Sequence, residues 1–198
     1  MGFWDTITGR SKPKQAKLDA LFHVPSAAIT LQTALGLIPT GDGAVCYRGA
    51  SGAGFASTQA DLVALVSEGP DAPRVTTTSD EFGFTWLELD HDPVDPDNPD
   101  LTSLCTGLHA VNTSLEEQGF GPGLLCSVVP FVAPDAQGGR HVGLVYLYKQ
   151  GTFYPFAPSG PQSRDNILEL QVRDTLAKEL PMEQDLSRWL AIWGAPGL

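Results

Sequence analysis

The chain has 198 residues, 42% of them hydrophobic and 18% charged, which excludes intrinsic disorder and fits one domain able to fold without metal or disulfide. Its formal charge of −11 is uneven: residues 1–17 hold Arg10, Lys12, Lys14 and Lys17 against Asp5, while residues 61–100 hold eleven acids and one base, Arg74. So acidic a body excludes general nucleic-acid binding, which needs cations to neutralise phosphates.

Residues 1–17 form a first unit. Phe3, Trp4 and Ile7 fall on one side of a helical turn, and Arg10, Lys12 and Lys14 follow. Aromatic residues beside basic ones mark an interfacial contact with a membrane or a partner. A frayed terminus, or one docked on the domain by its aromatics, also fits. There is no continuous apolar stretch of a signal peptide and no run of eighteen apolar residues, so the expected location is the cytoplasm, with a peripheral position on a membrane face left open by the first unit.

Residues 18–198 read as a single α+β domain. Residues 18–38 are helical in pattern, with a break at Val24-Pro25 and Ser26 as N-cap of a helix over 26–37. A strand over 44–48 follows. The Gly49-Ala-Ser-Gly-Ala-Gly54 loop lacks the lysine and spacing of a phosphate loop and reads as a linker into a short helix over 58–66. Residues 73–78 and 82–89 pair as a hairpin. The acidic stretch 90–100, DHDPVDPDNPD, lacks the glycine and terminal glutamate of a calcium loop and reads as a solvated surface loop. A helix over 101–118 carries Leu104, Leu108, Val111 and Leu115 on one face and stops at Gly119. His109 lies beside that face without a second ligand at metal spacing. Cys46, Cys105 and Cys126 are an odd number without a CxxC and read as buried free thiols.

Strands over 124–132 and 141–149 follow, apolar on both faces, so something must cover the second face of the sheet. A symmetric dimer partner and the chain's own helices are the candidates. The aromatic run Phe153-Tyr-Pro-Phe156 reads as a turn closing one end of the core. A helix over 163–180 carries Leu168, Val172, Leu176 and Leu180. The tail 182–194 places Leu186, Trp189, Leu190 and Trp193 at i, i+3, i+4 and i+7, the pattern of a short helix, docked on the core or offered to a partner. Lys149, Tyr154, Arg164 and Asp165 gather at the strand–loop–helix junction as a candidate pocket.

With the 58–66 helix set aside the order is α-β-β-β-α-β-β-α, that of the type III secretion-chaperone-like fold: an antiparallel sheet of about five strands with helices mainly on one face. Keeping it gives a ferredoxin-like βαββαβ with additions. The segments MGFWDTITGR, LDALFHVPSAAITLQTALGLIPTG, FGFTW, LHAVNTSLEEQGFGPGLLC, LVYLYKQGTFYPFAPSG, RDNILELQV and RWLAIWGAPGL resemble the actinobacterial PspAB family, the phage-shock-protein-A-associated proteins B. The resemblance implies a stress-response protein without catalytic residues or cofactor. Its implied partner is a PspA-type coiled-coil protein or a membrane-associated protease, at or near the inner membrane surface. A small-molecule-binding domain or enzyme using the 149–165 junction, and a chaperone-like client binder, are the alternatives.

Overall fold

Alternation with a period of two runs through the strands of the computed structural model, and each face of the sheet meets its own core. The structure describes residues 17–49, 53–68, 72–80, 82–90, 99–133 and 139–198. Phe3, Trp4, Ile7, Arg10, Lys12 and Lys14, and most of the acidic 90–100 stretch, lie outside them. Among the described residues seven strands make one sheet: β1 (Ile38–Pro39), β2 (Gly43–Tyr47), β3 (Arg74–Ser79), β4 (Thr85–Asp90), β5 (Leu124–Val132), β6 (His141–Leu147) and β7 (Thr152–Phe156). The order is β3-β4-β2-β5-β6-β7, with β1 on β5, and all these pairings are antiparallel.

The fold class is therefore α+β, with helices α1 (Val24–Leu35), α2 (Ala53–Val66), α3 (Leu101–Leu115) and α4 (Asn166–Leu176). Residues 43–132 run β2-α2-β3-β4-α3-β5, with strand order β3-β4-β2-β5. Strands joined through a helix lie with another strand between them, a split β-α-β arrangement, so the ferredoxin-like description fits this part. With α2 set aside the α-β-β-β-α-β-β-α order also holds, extended by the two-residue β1 and, after β6, by β7.

That added strand corrects the reading of Phe153–Phe156 as a turn. The chain reverses earlier, where the Gly151 amide bonds to the Leu147 carbonyl at 2.8 Å, and Tyr154 then pairs with Val145. Pro155, which has no N–H to give, is tolerated because β7 ends the sheet order.

Leu104, Leu108, Val111 and Leu115 of α3, and Leu168, Val172 and Leu176 of α4, are buried against Val45, Tyr47, Leu87, Leu89, Phe131 and Tyr146 of the sheet. Asp100 caps α3, its Oδ1 accepting from the amides of Thr102 (3.0 Å) and Ser103 (3.1 Å). Past α3 the chain turns at Gly119 with φ of 89°, a left-handed conformation that glycine adopts without strain. At α1 the expected break is absent as drawn. A 3-10 turn, Leu18–His23, runs into α1 with Pro25 in its first turn, and His23, not Ser26, stands at the N-cap. Proline costs little there because the first-turn amides have no intrahelical partner.

The opposite face carries Ala44, Cys46, Trp86, Cys126, Val128, Val145, Tyr154 and Phe156, covered by Trp189 and Ala195. The chain's own tail, not one of its helices, does this. The tail is not the expected helix over 182–194: it makes a parallel bridge from Met182 to Phe153 and one 3-10 turn, Leu186–Arg188. Leu186 and Leu190 are 56% and 62% exposed, whereas Trp189 is 7% exposed. Local side-chain bonds win over the helix: Glu183 Oε1 accepts the Asp185 amide and Asp185 Oδ1 the Ser187 amide. Gly143 of β6 gives the tail room, since a Cβ there would stand 2.7 Å from Leu198 Cδ1.

Candidate functional site

The tail is strapped to the sheet by polar contacts at regular intervals. Phe153 donates its amide to the Pro181 carbonyl (2.9 Å) and accepts the Glu183 amide (2.7 Å). Thr152 Oγ1 donates to Glu183 Oε2 (2.9 Å), Tyr154 Oη to the Leu190 carbonyl (2.9 Å), and Trp189 Nε1 to the Glu183 carbonyl (3.1 Å). Arg164 binds Glu169 Oε1 through Nε at 2.8 Å and the Trp189 carbonyl through Nη1 at 2.8 Å, with its guanidinium 5.0 Å from the Phe156 ring centroid. Glu169 also accepts the Ala157 amide at 2.9 Å, so this buried carboxylate has its charge and its lone pairs met.

Between the strapped tail and the β3–β4 turn none of the described residues covers the sheet. A cavity of about 410 Å³ opens there, lined by Cys46, Phe84, Trp86, Leu147, Tyr154 and Trp193 among others. Asp80 builds its rim: Oδ1 accepts the amides of Phe82 and Phe84, both at 2.9 Å, and Oδ2 accepts Trp86 Nε1 at 3.1 Å. An aspartate bonding its own turn backbone in this way fixes the turn and stands Phe82, 59% exposed, at the mouth. Leu190 stands there from the tail. Arg48 lies 5.3 Å from the Phe84 ring centroid.

A bulge shapes the floor. Cys46 pairs with Cys126 and Tyr47 with Leu124, so Leu125 is the extra residue, and Leu125 and Cys126 both face the tail side. The Cys46 thiol is held far above the ordinary range by its hydrogen bond to Cys126 and by burial, and burial likewise raises the Tyr154 phenol. These groups stay protonated at neutral pH. A neutral, aromatic floor with charged groups at its edge is a surface for binding apolar side chains.

Of the four residues expected to converge, two do. Lys149 and Tyr154 line the cavity, with Lys149 Nζ donating to the Pro122 carbonyl at 2.8 Å. Arg164 instead straps the tail, and Asp165 caps α4 by accepting the Leu168 amide at 3.0 Å. The two tail tryptophans part company: Trp193 lines the cavity and packs edge-on to Phe156 at 4.9 Å, whereas Trp189 is buried beneath, stacked on Tyr154 at 6.0 Å. Sequence reading missed Asp80, Phe82 and Leu190 as rim residues. The Ser-Asp-Glu turn was the available signal for Asp80; Leu190 gave none, because it looked like part of a helical stripe. His109 stacks on Phe22 at 5.0 Å, with Nε2 3.8 Å from Asp19, away from the cavity lining.

The model of one family, PspAB, PspA associated protein B, matches residues 1–197. The chain belongs to the PspAB family. PspAB is named for association with PspA. No curated protein and no solved structure matches the chain. For this PspAB chain, then, the cavity rests on its own geometry. Among its described residues no helix is long and apolar enough to cross a membrane, and no three His, Cys, Asp or Glu side chains gather as metal ligands.

Proposed function

We propose that this chain is a non-enzymatic adaptor of the PspA envelope-stress response that holds a protein partner near the inner membrane surface. The observation that carries the reading is an apolar cavity with a neutral floor, rimmed by exposed Phe82 and Leu190, in a chain whose family is named for PspA. Exposed apolar rims around a concave patch are characteristic of interaction sites. An amphipathic helix of a PspA-type coiled coil offers the apolar side chains such a site takes. A membrane-associated protease is the other partner class.

The test is a binding titration of the full chain against a PspA-type protein. Leu190→Glu, at an exposed position, is expected to weaken binding by roughly tenfold, the ~1–2 kcal/mol of a central contact, with little change in melting temperature. Unaltered affinity removes the cavity from the interface. One observation favours a second reading: the cavity volume falls within the roughly 300–1,000 Å³ of small-molecule sites. Native mass spectrometry of protein taken from cells would find a retained small molecule in that case.

A further inference from the structure

The polar atoms of the cavity floor are already engaged. Tyr154 Oη donates to the Leu190 carbonyl, Trp86 Nε1 donates to Asp80, and the Cys46 thiol shares a hydrogen bond with Cys126. A sugar or a base pushed into this space would leave its own polar groups unpaired, at a cost. A hydrocarbon chain loses nothing there.

The charges lie at one end. β2 ends at Tyr47, β5 begins at Leu124 and β6 ends at Leu147, so these termini share one end of the sheet. Two cations are set there against the same turn. The Arg48 amide donates to the Gly123 carbonyl at 2.9 Å, and Lys149 Nζ donates to the Pro122 carbonyl at 2.8 Å. Lys149 lines the cavity, and the Arg48 guanidinium lies 5.3 Å from the ring centroid of Phe84, which lines it too. Both cations are exposed, and among the described residues neither pairs with a carboxylate. Asp80, the acid of the lining, has its oxygens taken by three N–H groups. Arg188, from the tail, is held by Glu183 at 3.4 Å and Asp185 at 3.5 Å. The charge left for a ligand is therefore positive, on a chain of net charge −11. Cations at the edge of an apolar, water-poor space attract an anion more strongly than they would in bulk water.

We propose that the cavity binds a long-chain carboxylate, its hydrocarbon chain against Trp86, Leu147 and Trp193 and its carboxylate at Arg48 and Lys149. The proposal rests on the small-molecule reading of this cavity, names the class of ligand, and is independent of the adaptor reading.

Full-length protein titrated with dodecanoate, dodecanol and dodecyltrimethylammonium, each below its micelle concentration, holds the chain constant and varies the head charge. Tryptophan fluorescence reports occupancy, because Trp86 and Trp193 line the space. Dodecanoate is expected to bind roughly tenfold more tightly than dodecanol, as a charge-assisted contact implies, and the cationic amphiphile most weakly. The Arg48→Gln, Lys149→Gln double variant should lose that preference while binding dodecanol as wild type does, which shows the cavity still formed. Equal affinity for the three heads in wild type, or an unchanged preference in the double variant, overturns the proposal. So does binding confined to phosphatidylglycerol vesicles, which would assign the cations to a membrane surface. A different molecule retained in native mass spectrometry, with no dodecanoate binding, would sink this ligand class and leave the small-molecule reading standing.

Discussion

Trp189 shows how one side chain can hold a face closed. It stacks on Tyr154, donates to the Glu183 carbonyl and gives its own carbonyl to Arg164. Trp189→Ala is expected to cost about 3–5 kcal/mol, as other buried aromatic truncations do, measured by urea denaturation. The Arg164–Glu169 pair behaves differently, because its cost depends on which partner is lost. Glu169 has 2% of its side chain exposed, so Arg164→Ala strands a buried carboxylate at about 3–5 kcal/mol, whereas replacing both partners by Met and Leu is expected to be close to neutral. A double-mutant cycle separates the two outcomes. Glu183 contributes to the acid response. Burial raises its carboxyl, but the Asp185 amide, the Thr152 hydroxyl and Arg188 together outweigh burial and hold it below the usual carboxylate range. A carboxylate depressed in the folded state stabilises at neutral pH, and that contribution is lost as pH falls through the folded value. Urea midpoints at about pH 7 and about pH 3.5 should differ more for wild type than for Glu183→Gln; equal differences would clear Glu183 of the role.

At the scale of elements, the helices were the most legible part of the chain. Leu104, Leu108, Val111 and Leu115, and Leu168, Val172, Leu176 and Leu180, stand at helical spacing and are all buried on the helix side. Where the pattern misled, local chemistry overrode periodicity. The tail has a helical stripe at Leu186, Trp189, Leu190 and Trp193, but its carbonyls at Trp189 and Leu190 are taken by Arg164 and Tyr154, partners that lie far off in sequence. Phe153–Phe156 looked like a plug because Pro155 argues against a central strand, and β7 lies at the end of the sheet order. The tail's role predicts a specific failure. A chain ending at Gln184 loses Trp189 and Ala195 from the second face and leaves Val128, Val145 and Phe156 open. It is expected to bind apolar dye strongly and to self-associate in size-exclusion chromatography; a well-behaved monomer without dye binding would show that the tail is dispensable as a cover.

Across the whole molecule, one sheet serves two cores of unequal completeness. The helix side is sealed by α1, α3 and α4; the tail side is sealed by an irregular strand of chain that stops short of the β3–β4 turn. The incompleteness is the cavity, the surface on which the proposed adaptor role rests. Its floor costs little to desolvate, since the Cys46 thiol and the Tyr154 phenol are neutral.

The sequence by itself determined the α+β class, most helix and strand positions, the free cysteines and the fact that both sheet faces are covered, because burial period and composition are local properties. The PspAB resemblance was equally legible, carried by segments spread along the chain. Only the tertiary structure decided what covers the second face, which of Lys149, Tyr154, Arg164 and Asp165 meet, and where the cover ends. Those depend on bonds such as Tyr154 to Leu190 and Arg164 to Trp189, between residues 36 and 25 apart in the chain, and no local pattern encodes a partner at that distance.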